Sequence, residues 1–359
     1  MVQAPIKAAI LTFHNTPNYG ATLQCLALHN HLTEQGCKVE VINYMPTHAL
    51  LQYAKSLFLG KRRSLKNLQR VYRFYTFVRD HIALSGAPIF RAGRLKMLQA
   101  KHYQIAFSGS DEVWKVDHMR PFDPSYYFSF LDPSATRLVA YAATSSTVTD
   151  LTGMAVTVTP LLRRFSGLGI RDRSTASMVE RLLGQPPEQV LDPTLIWDFT
   201  QMDLPPMRTR PYLAVYSWLS DADMLATREF AQRHGLEVVC VGCRHALADA
   251  NLIGIGPHEW LRLMKHASAV LTDFFHGVLF SIIFHRPFYA HVDAKKRMKL
   301  EQALQWVGLG HHLHETAGAI RQTSWQELEA DWVEVDRQLA RQRMQSQAFI
   351  REQLARCQA

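Results

Sequence analysis

Cysteine is scarce in this chain: five residues, an odd number scattered over 359, make no disulfide framework. Cys240 and Cys243 spell C-x-x-C, but they lie in LEVVCVGCR, which reads as a buried strand, and no second pair completes a zinc site. Packing is the role expected of both. Long apolar runs are absent too, since none approaches the roughly 18 residues needed to span a bilayer. The opening MVQAPIKAAILTF lacks the charged start, long apolar run and small-residue cleavage site of a secretory leader, and Ile6 to Phe13 is only strand length. These absences lead to the expectation of a soluble, cytoplasmic protein. There is no internal repeat and no low-complexity segment.

Acid is missing from one stretch. Between Val41 and Arg79 there is no Asp or Glu, while Lys55, Lys61, Arg62, Arg63, Lys66, Arg70, Arg73 and Arg79 fall inside it, interleaved with Tyr53, Phe58, Tyr72, Phe74, Tyr75 and Phe77. Such a segment suits peripheral contact with an anionic membrane at its inner face or a groove for a charged acceptor; a solvated helix with its aromatics in the core is the plainer alternative. No nucleic-acid motif accompanies the charge, so nucleic acid is not expected as a partner. Over the whole chain, 40 Lys and Arg against 31 Asp and Glu give +9, which favours anionic ligands.

What is present is α/β rhythm. The length suits two domains of roughly 150 residues each, and 47% apolar residues can fill two cores. Lys7 to Phe13 reads as a buried strand, Asn18 to Gly36 as a helix with Leu23, Leu26, Ala27, His31 and Leu32 at helical spacing, and CKVEVINY as a second strand. This crossover unit predicts a parallel sheet. Strands over Tyr103 to Ser108, Arg137 to Ala143 and Leu168 to Arg171 and a helix over Ser174 to Leu183 continue it. MDLPPMRTRP, Met202 to Pro211, interrupts the rhythm with prolines. Strand and helix then alternate again through YLAVYSW, a helix from Asp221 to His234, LEVVCVG, a helix from Pro257 to His266, ASAVLTD, a helix from Phe275 to Phe284, and PFYAHV. The expected organisation is an N-terminal lobe over 1–203, a linker over 204–211, a C-terminal lobe over 212–335 and a final helix over 336–359 packing back on the first lobe.

Ligands of open α/β sheets collect at the carboxyl ends of the strands. Four such junctions are unusual. TFHNTPNYGATLQ places His14 and Asn15 at a strand end and Asn18, Tyr19 and Gly20 at a helix start; its single glycine excludes a dinucleotide fingerprint, and Asn18 serves equally well as a helix cap. FSGSDEVW carries Ser110 and Asp111 in a tight turn with Trp114 close behind, a set that suits a sugar, although Asp111 could simply cap the turn. GLGIRDRS puts Arg171 at a strand end, able to grip a carboxylate or phosphate or to pair with Asp172. LTDFFHGVLFSIIFHRPF opens a helix with His276 and Gly277. A helix start favours a neutral imidazole, whereas a phosphate bound there favours the imidazolium, the behaviour wanted of a general acid. A core histidine bonded to a carbonyl is the alternative.

Taken together, TFHNTPNYGATLQ, FSGSDEVW, AYAATSS, GIRD, VLDPTL and LTDFFHGVLFSIIFHRPF, in this order, closely resemble the polysaccharide pyruvyl transferase family from about Lys7 to about Leu309. The resemblance implies two Rossmann-like doubly wound lobes of GT-B-like glycosyltransferase architecture with an interdomain cleft. It implies transfer of the enolpyruvyl unit of phosphoenolpyruvate to two hydroxyls of a sugar acceptor, a lipid-linked oligosaccharide being one candidate, with phosphate released and no metal or organic cofactor. On this sequence it assigns catalysis to His276 and Arg171, the donor to Asn18, Tyr19, Gly20, Gly277 and Arg286, and the acceptor to His14, Asn15, Ser110, Asp111 and Trp114. Two departures matter. Phe274 stands where many members carry Arg, so that Arg286, Lys265 or Arg171 would have to hold the phosphate. AKKRM, Ala294 to Met298, offers lysines where a serine commonly precedes the later arginine, Arg297. A nucleotide-sugar glycosyltransferase is the rival reading.

Overall fold

The computed structural model describes residues 4–47, 65–117, 121–146, 151–292 and 297–357. Lys55, Lys61, Arg62, Arg63, Tyr53 and Phe58 of the acid-free stretch, and Ala294, Lys295 and Lys296 of AKKRM, lie outside the described residues.

The chain divides into two units. The first holds Met1–Arg63, Val78–Trp197 and Gln342–Ala359; the second holds Ser64–Phe77 and Asp198–Arg341. This division differs from one based on prolines. Residues 204–211 are not a free connector: Arg262 Nε donates to the Pro205 carbonyl at 2.7 Å and the His266 ring lies 2.7 Å from the Leu204 carbonyl, which fastens the stretch to the second unit.

In the first unit, β1 (Lys7–Leu11), β2 (Lys38–Val41), β3 (Ile105–Ser108), β4 (Arg137–Ala143), β5 (Gly167–Ile170) and β6 (Glu188–Gln189) form one sheet in the order β2-β1-β3-β4-β5-β6. All its pairings are parallel. The first helix runs Tyr19–Glu34, capped by Asn18, and Gly36 ends it at φ +80°, a conformation suited to glycine. Strands this completely buried need cover on both faces, which is why Ala8 to Leu11 and Ile105 to Phe107 are continuously apolar. In the C-terminal helix Trp332–Ala355, the part from Gln342 on belongs to this unit. It seats against the glycines of GLG: a Cβ at Gly169 would lie 2.9 Å from the Phe349 ring, and one at Gly167 would lie 2.7 Å from the Gln353 amide.

The second unit repeats the plan. β7 (Tyr212–Tyr216), β8 (Glu237–Val241), β9 (Ala250–Leu252), β10 (Ala269–Thr272), β11 (Phe288–His291) and β12 (Leu313–His314) lie in the order β12-β11-β10-β7-β8-β9, again parallel. Each sheet reverses its direction of growth once, between β1 and β3 in the first and between β7 and β10 in the second. At such a reversal the two flanking connections part to opposite faces and leave a crevice at the carboxyl ends of the strands.

Candidate functional site

The unusual junctions of the sequence fall on these two crevices. In the first unit, His14 to Asn18 follow β1 and Gly109 to Trp114 follow β3, the two strands at the reversal. A Cβ at Gly109 would stand 3.0 Å from Thr12 Cβ, so glycine is what lets the two strand ends converge. Around them the backbone is strained: Asp111, Ala142 and Ser146 adopt φ of +84°, +56° and +62° without being glycine. Such residues cost about 1–3 kcal/mol each and concentrate at functional sites. Side chains on this rim are dense and polar. Lys115 Nζ lies 3.3 Å from Glu112 and 3.4 Å from Asp117, and Ser146 donates to Glu112.

The individual residues take clear places. Asn18 is exposed, and its Oδ1 accepts from the Ala21 amide at 3.3 Å, the role of a helix cap. Tyr19 is fully buried and Gly20 is buried beside it. His14 is buried in a network with the Thr12 carbonyl at 3.3 Å, Asn43 at 3.2 Å and Asn15 at 2.6 Å. Burial lowers its proton affinity more than its bonds to Asn43 and Thr12 raise it. Trp114 offers no open face to a sugar. Its indole is 1% exposed, stacks on Tyr127 at 5.2 Å and directs Nε1 at the Tyr126 carbonyl. Ser110 is likewise fully buried, which leaves half-buried Asp111 and Asn15 as the members of the acceptor set nearest to solvent.

Arg171 pairs with Asp192, not Asp172. Its Nη1 lies 2.5 Å from Asp192 Oδ2 and 3.1 Å from Ser110 Oγ, with both ionic side chains almost wholly buried. Burial opposes the charge, but Asp192, Asp111 and Asp172 outweigh it and hold the guanidinium protonated. Asp172 instead caps the Arg173–Leu183 helix through the Thr175 amide. FSGSDEVW, GIRD and VLDPTL are therefore tied together by one ion pair, and the guanidinium expected to clamp a donor is committed to that tie.

In the second unit, Thr272 ends β10 and the helix Phe275–Ile283 begins three residues later. Phe274, its N-cap, makes no side-chain bond to the first turn. A Cβ at Gly277 would meet Thr272 Oγ1 at 2.2 Å, so glycine allows this helix to start directly against its strand. His276 is half-buried in that first turn, edge-on to Phe275 at 5.2 Å. Phe274 packs tilted against Tyr216 with ring centroids 4.5 Å apart, an aromatic pair where a guanidinium was sought.

Two expected substitutes for that guanidinium stand at the wrong end of the sheet. Arg286 follows the helix Phe275–Ile283 and precedes β11, placing it at the amino edge, about 15 Å along the chain's path from His276 at 1.5 Å per helical residue. Its Nε is engaged by the Phe284 carbonyl at 2.8 Å. Lys265 likewise ends its helix before β10. Cations that do share the carboxyl rim with His276 are Arg70, whose Nη1 reaches the Gly242 carbonyl at 3.4 Å, exposed Arg244 after β8, and Arg297 beyond β11.

The sequence reading passed over three residues of this rim. Trp218 lies two residues past β7 and is 56% exposed, the open indole that Trp114 is not. Ser217 Oγ lies 2.9 Å from His291 Nε2. The available signal was positional: in YLAVYSW and PFYAHV these side chains fall at or just beyond the carboxyl end of a strand. Among the described residues, no group of three or more His, Cys, Asp or Glu could hold a metal ion, and no helix is long and apolar enough to cross a membrane.

Among solved structures, the chain is similar to the UDP-GlcNAc 2-epimerase of Methanocaldococcus jannaschii, with 9% identity, 90% of each chain covered and a TM-score of 0.50. It is similar also to the MnaA–UDP complex of S. aureus (11% identity, 89% of this chain and 87% of that one, TM-score 0.49). A third likeness is to a Thermobaculum terrenum O-GlcNAc transferase mutant (10% identity, 98% and 67%, TM-score 0.48). The first of these shows the fold, two Rossmann-like α/β lobes of the GT-B-like class. No curated protein matches the chain in sequence. The family model for polysaccharide pyruvyl transferase matches residues 18–291, a span that begins after β1 and takes in β3, the reversal of the second sheet and the junctions from Asn18 onward, and the chain belongs to that family.

Proposed function

We propose that the protein transfers the enolpyruvyl unit of phosphoenolpyruvate to two hydroxyls of one sugar, closing a cyclic ketal and releasing phosphate, in the synthesis of a cell-surface polysaccharide or glycan. The observation that carries this reading is the place of His276: the first turn of a helix whose N-cap, Phe274, makes no side-chain bond to it, at the reversal of the second sheet, in a chain of this family. The amides of a helix's first turn favour an anion, and a phosphate bound there favours the imidazolium beside it. His276 then protonates the methylene carbon or steadies the departing phosphate. The electron-poor carbon that results is attacked by one sugar hydroxyl, phosphate leaves, and the second hydroxyl closes the ring. The two hydroxyl protons balance the one gained by carbon and the one that departs on phosphate. With Arg286 and Lys265 at the far edge and Arg171 tied to Asp192, the helix amides with Arg244 and Arg297 are the groups we assign to the donor's charge.

Incubation with phosphoenolpyruvate and candidate sugars tests this. Phosphate should be released, and His276→Ala should lower the rate at least about 100-fold while the circular dichroism stays unchanged. Full activity in that variant removes the assigned role.

A second reading, transfer from a nucleotide sugar, is favoured by the Phe274–Tyr216 pair in place of an arginine. A ligand at a hundred times its dissociation constant stabilises a protein by about 2.7 kcal/mol, so thermal unfolding with phosphoenolpyruvate and with a nucleotide-sugar panel separates the two. The acid-free stretch adds a proposal about place. Leu65, Leu68, Tyr72 and Tyr75 recur at three- and four-residue spacing on the Leu65–His81 helix and are 85%, 48%, 65% and 59% exposed, a face suited to an anionic membrane surface that presents a lipid-linked acceptor.

A further inference from the structure

The alignment of three strands sets up a second polar group on the rim that carries His276. In β7, β10 and β11, Tyr216, Thr272 and Ala290 stand in register as neighbours. The next residues along, Ser217, Asp273 and His291, therefore form one row across the carboxyl edge of the sheet. Adjacent strands lie about 4.8 Å apart, so Ser217 and His291, two strands apart, are separated by roughly 10 Å of backbone. Their side chains close that gap over the end of β10, with Ser217 Oγ 2.9 Å from His291 Nε2. The pair thus lies across the point where the chain leaves β10 to begin the helix of His276.

The helix that follows β7 is capped by Ser220, whose side chain accepts from the Asp223 amide, so Ser217 is not needed there. His291 is half-buried at the end of its strand, where a neutral polar residue could satisfy a serine equally well. An imidazole adds something an amide does not: it takes and returns a proton.

We infer that Ser217 and His291 form a second proton-transfer pair, acting on the acceptor hydroxyls while His276 serves the donor. The inference rests on the ketal-transfer reading. As each hydroxyl oxygen bonds to the donor's central carbon, its O–H bond breaks and the proton passes to the half-buried His291 ring, which buried Ser217 holds through Nε2. One of the two protons so collected replaces the one His276 gives to carbon; the other leaves on phosphate. Nothing beyond the two substrates is consumed. Among the described residues, the titratable groups along this rim are Asp273 and His276 after β10, His314 beside His291 on β12, and Glu315 and Arg297 farther along. Asp273 is the carboxylate of the row.

The test is steady-state kinetics of phosphate release against pH, with phosphoenolpyruvate stabilisation measured in parallel on the same full-length proteins. His291→Gln keeps a group able to bond Ser217 but cannot carry a proton. It should lower kcat at least about 100-fold, leave the KM for phosphoenolpyruvate and its thermal stabilisation unchanged, and remove the acidic limb of the kcat profile. Ser217→Ala should match it, and Ser217→Thr, which restores a hydroxyl, should recover activity. Should His291→Gln keep kcat and its pH profile within about twofold of the unaltered protein, the pair is structural and the inference is overturned, with the donor reading intact. Should phosphoenolpyruvate stabilise neither the unaltered protein nor the variants, the ketal-transfer reading falls and takes the pair's role with it.

Discussion

At the scale of single residues, the motifs of this chain divide into those that build the site and those that face it. Arg171, Asp192 and Ser110 belong to the first kind. A buried pair that loses one partner leaves an uncompensated charge, at about 3–5 kcal/mol. Arg171→Met and Asp192→Asn should each lower stability by that amount in chemical denaturation, and a loss under about 1 kcal/mol would mean the pair is not the tie described. Residue type alone left this open, because a guanidinium at a strand end looks the same in sequence whether it grips a ligand or a distant aspartate. The Asp192 partner lies 21 residues away, and only the fold brings it near. Trp114 was equally ambiguous, as an indole near a strand end is open or buried depending on the packing of Tyr127 and Phe165 against it. Histidines also set a pH limit. Burial, then the charge of Arg351, lowers His31 to about 4, and burial likewise takes His312 to about 4. Both bind protons more readily when unfolded, so their contribution to stability is complete above the ordinary histidine value of about 6.5 and is lost as pH falls towards 4. Each should cost roughly 2 kcal/mol at pH 5, and replacing His31 by Gln should flatten that part of the stability–pH curve.

At the scale of elements, helices and strands were largely legible. Periodicity located the Tyr19–Glu34 helix to within two residues at its end and β4 at its full length, because amphipathic and fully buried patterns are written locally. The two-residue strands β6 and β12 were not, since segments this short carry no period. Close approaches were legible only as glycines of unstated purpose. Gly277→Ala places a Cβ 2.2 Å from Thr272 Oγ1, which must force the helix away from β10. It should cost about 1–3 kcal/mol and displace His276 with the helix, so that phosphate release drops out of proportion to stability. An alanine variant of full activity would show that the helix start tolerates the shift. The Leu65–His81 helix divides the aromatics of the acid-free stretch that it carries: Phe74 and Phe77 are buried at 5%, whereas Tyr72 and Tyr75 are exposed. Vesicles with anionic lipid should retain the full-length protein, and Tyr72→Ser with Tyr75→Ser should reduce retention at least about tenfold. Equal retention by neutral vesicles would dismiss the surface.

At the scale of the whole molecule, two parallel sheets share one design, each reversing once and each carrying its polar junctions at the carboxyl ends beside that reversal. Sequence rhythm foretold two α/β lobes but not the switch points, because strand order is a tertiary property to which local pattern contributes nothing. Nor did it foretell that residues 64–77 would leave the unit of their sequence neighbours. The chemistry assigned to the second reversal makes one demand that no rival shares: the methylene carbon of the donor must become a methyl by gaining a proton. Running the reaction in deuterated water, with phosphoenolpyruvate and an accepted sugar, reads this directly in the product. The account predicts a ketal whose methyl group carries one deuterium, formed in equal amount with free phosphate. A product that keeps an undeuterated methylene, or sugar modification only when a nucleotide sugar is supplied, would contradict it.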